Sequence, residues 1–283
     1  MKHIGKSYDK VDAKGILSGK PSYTGDFVPK DALIIKVLRS PHAQAKIKSI
    51  DTSKAKLIPG VEAIFTYEDV PNTRFTLAGQ TYPEPSAYDA LILDPVVRYV
   101  GDEVALVVAK DEATALKAMP LIKVEYEVQK PVLDLRTAMD HETVVHPEDD
   151  ILNHIPVGQD YKRNICVSYH KRVGDIEAEL AKCDYVVEGT YFDQATRQSA
   201  MEPFQSFGYI DHLGRIVIVS STQIVFHVRR HIARALGIPA SKIRVIKPRI
   251  GGGFGSKQTA CTELMTAFVT WKLQKPCYLL YDR

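Results

Sequence analysis

Runs of branched apolar residues, broken by turns, dominate the chain as far as residue 128. Leu33 to Arg39, Ala43 to Ile50, Val61 to Phe65, Val104 to Ala109 and Ile122 to Tyr126 alternate or cluster such residues as strands do. Asp111 to Met119 reads differently: an aspartate suited to accept free N–H groups at a helix start precedes good helix formers. That predicts one helix between the last two strands and makes the stretch an α+β module.

From Pro131 to Arg163, Pro, His, Asp and Glu appear with little periodicity, which marks a linker or an extended crossing segment. Beyond it the pattern predicts a strand at Ile165 to Tyr169, a helix at Asp175 to Ala181, and strands at Tyr185 to Phe192, Phe204 to Ile210 and Ile216 to Ser220. A helix at Gln223 to Leu236 follows, then a strand at Ile243 to Ile246. The helix is the best defined element: Ile224, Val228, Ile232 and Leu236 recur every four residues, Ser221 or Thr222 is placed to cap its start, and Gly237 is placed to stop it. The expected organisation is a domain over 1–130, a linker over 131–163 and a second domain over 164–283.

Composition narrows the class. With 45% hydrophobic and 25% charged residues among 283, the chain has enough apolar material for about two globular domains. Its 37 basic and 34 acidic residues are interspersed, and the net charge of +3 forms no basic block, so neither nucleic acid nor a membrane surface is an expected partner. The start MKHIGKSYDK lacks an apolar stretch and the longest apolar runs, such as Ile216 to Val219, are strand-sized, which predicts a cytoplasmic protein. Cys166, Cys183, Cys261 and Cys277 lie too far apart for a local cluster or zinc knuckle and are expected to be reduced core thiols.

The chemistry concentrates in Lys247 to Gln258, which reads KPRIGGGFGSKQ and is followed by a helical pattern to about Lys272. Glycines between strand and helix let backbone approach a ligand closely, and the first amides of the helix would then face electron-rich oxygens. A phosphate-binding P-loop needs Lys followed by Ser or Thr, whereas Lys257 is followed by Gln258; the dinucleotide pattern fails at Ser256. Gln223 also sits between a strand and a helix, so its turn and the Gly251 to Gly255 loop can converge at one end of a sheet. His227 and His231 are four apart but lack a third ligand or an intervening Glu, and read as a solvated helix flank.

Ser220 to Gln258 resembles, over its full length, the molybdenum-binding segment of the xanthine dehydrogenase and aldehyde oxidase family, with the bacterial molybdenum subunits most similar. Arg39 to Ala43, Pro59 to Thr66 and Val97 to Ala105 resemble that family's α/β-hammerhead domain, and Gly174 to Ala178 and Met201 to Pro203 resemble the opening of its first cofactor-binding domain. The resemblance implies an amino-terminal hammerhead followed by the first part of the molybdenum-cofactor-binding domain. It implies a molybdenum–molybdopterin cofactor, in the cytosine dinucleotide form, with no direct protein ligand to the metal. Carried over, Gln223 hydrogen-bonds the apical oxo ligand, and Phe254 and Gly255 supply backbone contacts. Gly251, Gly252 and Gly253 keep that approach free of side chains, and Gln258 meets substrate.

The implied reaction is hydroxylation of a purine such as xanthine or hypoxanthine at a ring carbon, with oxygen from water; nicotinate or another N-heterocycle comes next, then an aldehyde. Electrons would pass to 2Fe–2S and FAD groups on an iron–sulfur subunit and an FAD subunit. Where animal enzymes of the family carry a carboxylate, Gln258 is a neutral amide that donates and accepts. The family's general-base glutamate and most pterin contacts lie past the strand that Tyr278 to Arg283 resembles, so the base is not in this chain. Neither Glu202 nor Glu263 matches it. The chain alone is expected to be inactive until joined by a carboxy-terminal half of the molybdenum subunit; a non-catalytic cofactor-binding or assembly module and a truncated product are the alternatives.

Overall fold

Strand-forming residues become strands only where a neighbour accepts their ladder hydrogen bonds, and this chain recruits neighbours over long sequence separations. A computed structural model describes residues 3–20, 22–77 and 81–282. In chain order its elements are α1 (Ala13–Leu17), β1 (Leu33–Arg39), β2 (Ala45–Asp51), α2 (Ser53–Lys56), β3 (Val61–Phe65), β4 (Val96–Val97), β5 (Glu103–Ala109), α3 (Glu112–Ala118) and β6 (Lys123–Val128). There follow α4 (Ile176–Leu180), β7 (Gln205–Ile210), β8 (Ile216–Ser220), α5 (Val225–Leu236), β9 (Ile243–Ile246), α6 (Glu263–Leu273) and β10 (Cys277–Leu280). Among the described residues the strands form a seven-stranded sheet, β3-β5-β1-β10-β7-β8-β9, and a three-stranded sheet, β4-β2-β6.

The larger sheet draws strands from both sides of the 131–163 segment. β10 runs parallel to β1, with Leu33 opposite Cys277, and antiparallel to β7, with Cys277 opposite Gly208. Its core is continuous too: Ile35, Leu106 and Val108 share one apolar cluster with Ile218, Ile232, Phe268 and Leu279, and the Phe65 and Phe268 rings meet edge to face at 5.1 Å. Helix α6 is buried from Glu263 through Thr270, as expected of a helix apolar on all sides. It lies so close over β7 that a Cβ on Gly208 would come within 2.3 Å of the Thr270 hydroxyl. The 131–163 segment is fastened to the amino-terminal half by ion pairs, among them Arg98 to Glu148 and Arg74 to Asp150 at 2.8 Å.

Two sequence expectations fail here. Among the described residues, Ile165 to Tyr169 contributes only an isolated bridge at Ile165, and Tyr185 to Phe192 runs without a strand partner. No neighbouring ladder reaches Tyr185 to Phe192, and Tyr185, Val187, Tyr191 and Phe192 are each 90% exposed or more. The helix expected at Asp175 to Ala181 does form, with the Asp175 carboxylate accepting the Ala178 N–H at 3.1 Å.

Candidate functional site

β8 delivers the chain to the site at Ser220. Ser221 and Thr222 are buried, Gln223 emerges exposed, and α5 begins two residues later. The cap is not the one expected: Ile224 occupies the position before the helix, and the Thr222 hydroxyl accepts the Ile224 N–H at 3.1 Å from one residue further back. At the other end Gly237 takes the left-handed conformation, φ 66°, that stops the helix as expected.

The glycine loop returns to the same end of the sheet after β9, and the Gln223 N–H donates to the Lys257 carbonyl at 2.9 Å. At Gly253 the approach is close enough that a Cβ would stand 2.6 Å from the Gln223 Oε1. Gly252 and Gly255 take φ of +99° and +85°, conformations that favour glycine, and between them Phe254 is held at φ 50° and is 73% exposed. Gln258 ends a single 3-10 turn, Ser256 to Gln258, half-buried, with its N–H on the Gly255 carbonyl at 3.1 Å. The loop does not run straight into a helix. α6 starts only at Glu263, so its free amides do not line the glycines; the intervening Thr259 to Thr262 is irregular.

A buried polar cluster that the sequence reading passed over lies beneath the loop. Glu202 Oε2 accepts the Gly251 N–H at 2.7 Å and faces Lys257 Nζ at 3.2 Å, while the Glu202 carbonyl accepts from the same ammonium at 2.9 Å. Gln205 Nε2 donates to Glu202 Oε1 at 2.8 Å, and the Tyr278 hydroxyl donates to Gln205 Oε1 at 2.5 Å. Burial pushes the Tyr278 phenol up to about 12, so it remains a donor at neutral pH. The cluster's trace in the sequence is Met201-Glu202-Pro203 together with a lysine two residues past the glycine run; neither alone says that they meet.

Other expectations resolve individually. Glu263 is buried at the start of α6, where burial raises its carboxyl although it accepts from the Ser220 hydroxyl at 2.6 Å and the Cys261 N–H at 2.8 Å. His231 is buried, contrary to the solvated flank expected, because α5 presses that side onto the core; His227 lies against Arg230. Among the described residues no three His, Cys, Asp or Glu side chains are grouped to hold a metal. All four cysteines are free thiols, but only Cys277 is buried, and Cys166 and Cys183 lie in a stretch, residues 166–199, that is exposed from end to end.

The arrangement passes a test of fit for a large cofactor. An exposed amide and a side-chain-free backbone meet where an added Cβ would collide, and a rigid polar cluster supports them from below. Two domain families match in order: the aldehyde oxidase and xanthine dehydrogenase a/b hammerhead domain over residues 18–130 and the molybdopterin cofactor-binding domain over residues 157–283. The fold is thus an α+β hammerhead followed by the first part of a molybdopterin-binding domain. The chain is 40% identical to a probable hypoxanthine oxidase of Escherichia coli K12, covering 99% of this chain and 32% of that protein. It is 36% identical to the xanthine dehydrogenase molybdenum-binding subunit of Escherichia coli O157:H7, over 93% and 34% of the two. The crystal structure of quinoline 2-oxidoreductase from Pseudomonas putida 86 superposes with a TM-score of 0.81 at 29% identity, over 98% of this chain and 34% of that one. The chain spans about a third of the length of these relatives. It belongs to the xanthine dehydrogenase and aldehyde oxidase family of molybdenum enzymes and corresponds to one part of these longer relatives. Among the described residues no helix is long and apolar enough to cross a membrane.

Proposed function

We propose that this chain forms one wall of the molybdenum-cofactor site in a cytoplasmic purine hydroxylase acting on xanthine or hypoxanthine. The observation that carries the reading is the meeting of the Gln223 amide with Gly253 at a distance no side chain permits. Gln223 would hydrogen-bond a molybdenum–molybdopterin cofactor, in its cytosine dinucleotide form, and Gly252, Gly253, Phe254 and Gly255 would present backbone to it. When bound, that cofactor supplies oxidative hydroxylation with oxygen from water.

The chain's own part is positional. Hydrogen bonds within the chain, from the Gln223 N–H to the Lys257 carbonyl and from the Gly251 N–H to Glu202, would hold these groups in place for a ligand. Gln258, at the end of the 3-10 turn, would meet the heterocycle as a neutral donor and acceptor. The general base, most pterin contacts, and the 2Fe–2S and FAD groups would come from a carboxy-terminal half, an iron–sulfur subunit and an FAD subunit. The division into 1–130, 131–163 and 164–283 then separates evolutionary units, although one sheet unites them. The names of the two Escherichia coli relatives favour purines; the quinoline oxidoreductase favours another N-heterocycle as second reading.

The test is to purify the chain alone and with its genomic neighbours, then assay molybdenum, pterin and xanthine-dependent dye reduction. Dye reduction by the assembly, lost when Gly253→Ala displaces Gln223, is expected. Turnover by the chain alone would overturn the assignment of the base elsewhere.

A further inference from the structure

We infer that the buried Glu202–Lys257 pair is the positioning device of the glycine loop, holding both of its ends and, through them, Gln223. The inference rests on the cofactor-site reading for its purpose, and on geometry alone for its mechanics.

The loop from Gly251 to Gly255 has few side chains to anchor it, and glycine loses more backbone freedom on ordering than any other residue. Its fixed shape must therefore come from contacts made by backbone. Glu202 makes them at the entrance: its carboxylate accepts the Gly251 N–H, and its own N–H donates to the Gly251 carbonyl at 3.0 Å, closing a reciprocal pair. Lys257 makes them at the exit. Its ammonium, on a residue 2% exposed, reaches back to the Glu202 carboxylate and carbonyl, so entrance and exit are tied to one residue. The Lys257 carbonyl takes the Gln223 N–H, which adds the third chain. Gln205 and Tyr278 fix the free edge of the Glu202 carboxylate, seating the assembly on β7 and β10.

A buried ion pair seldom stabilises a fold more than apolar replacements do, whereas removal of one partner leaves a costly unpaired charge. That asymmetry separates positioning from stability. Lys257→Met leaves the Glu202 carboxylate without its cation, and should lower the thermal midpoint and speed exchange of the Gly251 and Gln223 amides. Glu202→Leu with Lys257→Met removes both charges of the pair together with the side-chain acceptor for the Gly251 N–H, and should recover much of the midpoint. The loop would nevertheless stay untied, with exchange at Gly251 and Gln223 remaining about tenfold or more above the unsubstituted chain, while Ile218 in β8 and Ile232 in α5 keep their protection.

Residue-resolved hydrogen exchange by NMR and thermal melts on the full chain, free of cofactor, decide it. Should the single variant fail to fold, the double variant alone answers. Unchanged exchange at Gly251 and Gln223 sinks the inference, as does exchange that rises equally at Ile218 and Ile232, since that is a purely structural role. Molybdenum content of the assembled protein is scored separately: a chain that never holds cofactor, yet shows the selective loss of protection, retires the function reading and keeps the positioning pair.

Discussion

Val104 to Ala109 and Tyr185 to Phe192 carry the same kind of pattern, runs rich in branched or aromatic residues, and they end in opposite surroundings. β5 lies between β3 and β1, antiparallel to both, and every residue from Val104 to Ala109 is buried. Tyr185 to Phe192 is irregular chain with its aromatic residues in solvent and, among the described residues, no ladder on either side. The difference lies in what is adjacent. A branched residue favours a pleated, half-buried surface, and that preference yields stability only when neighbouring strands exist to create the surface.

The largest consequence falls in β5. Leu106 is fully buried in the cluster shared by α5, α6 and the sheet centre, so Leu106→Ala removes transfer energy and leaves a void. A loss of about 2–5 kcal/mol in urea unfolding is expected, with one cooperative transition, because β1 and β10 carry the damage into both halves of the sheet. A loss below about 1 kcal/mol, or two separate transitions, would break the comparison by showing that β5 does not serve the common core.

What was legible in the sequence follows the same divide. β1, β3, β8 and β9 match their expected bounds, α3 and its Asp111 cap match within a few residues, and α5 matches in extent and in its Gly237 stop but not in the residue that caps its start. In these stretches local pattern and tertiary neighbours agree. The convergence of Gln223 with the glycine loop was also readable, because each follows directly on a strand, although the helix after the loop starts later than the pattern implied. The Glu202–Lys257 pair was not, since 55 positions separate the two and charge alone does not say which lysine is buried. Neither was the joining of β1 to β10, which needs a parallel pairing across most of the chain.

A titration sharpens the comparison at intermediate size. Asp102 precedes β5, and burial pushes its carboxyl up to about 6 from an ordinary 3.8, although the Arg98 and Glu103 N–H groups on its oxygens pull the other way. A raised folded pKa means that the contribution of Asp102 is fully present below about pH 4 and is lost as pH rises through about 6. Allowing for its partial contact with water, the stability of the natural chain relative to Asp102→Asn should fall by about 1–2 kcal/mol between pH 4 and pH 7. Urea midpoints of the two proteins across that range measure it. A difference that stays flat would mean that the β5 end of the sheet is wetter than its burial implies, and one that grows with pH would mean that the Arg98 and Glu103 N–H groups outweigh burial.

The smallest expected effect tests the other region. Val187 is 91% exposed and belongs to no ladder, so Val187→Ser removes no buried area and breaks no cross-strand pair. Its strand preference has nothing to act on, because the same substitution within a sheet would be felt through packing against neighbours that are missing here. The change in unfolding free energy should stay within about 0.5 kcal/mol, and the denaturant slope should be unchanged, since the surface exposed on unfolding is the same. Measured beside Leu106→Ala in one urea series, the two substitutions bracket the range that one kind of sequence pattern can span. A loss at Val187 above about 1 kcal/mol would require a hidden partner for Tyr185 to Phe192 within this chain, and would merge the two regions into one class.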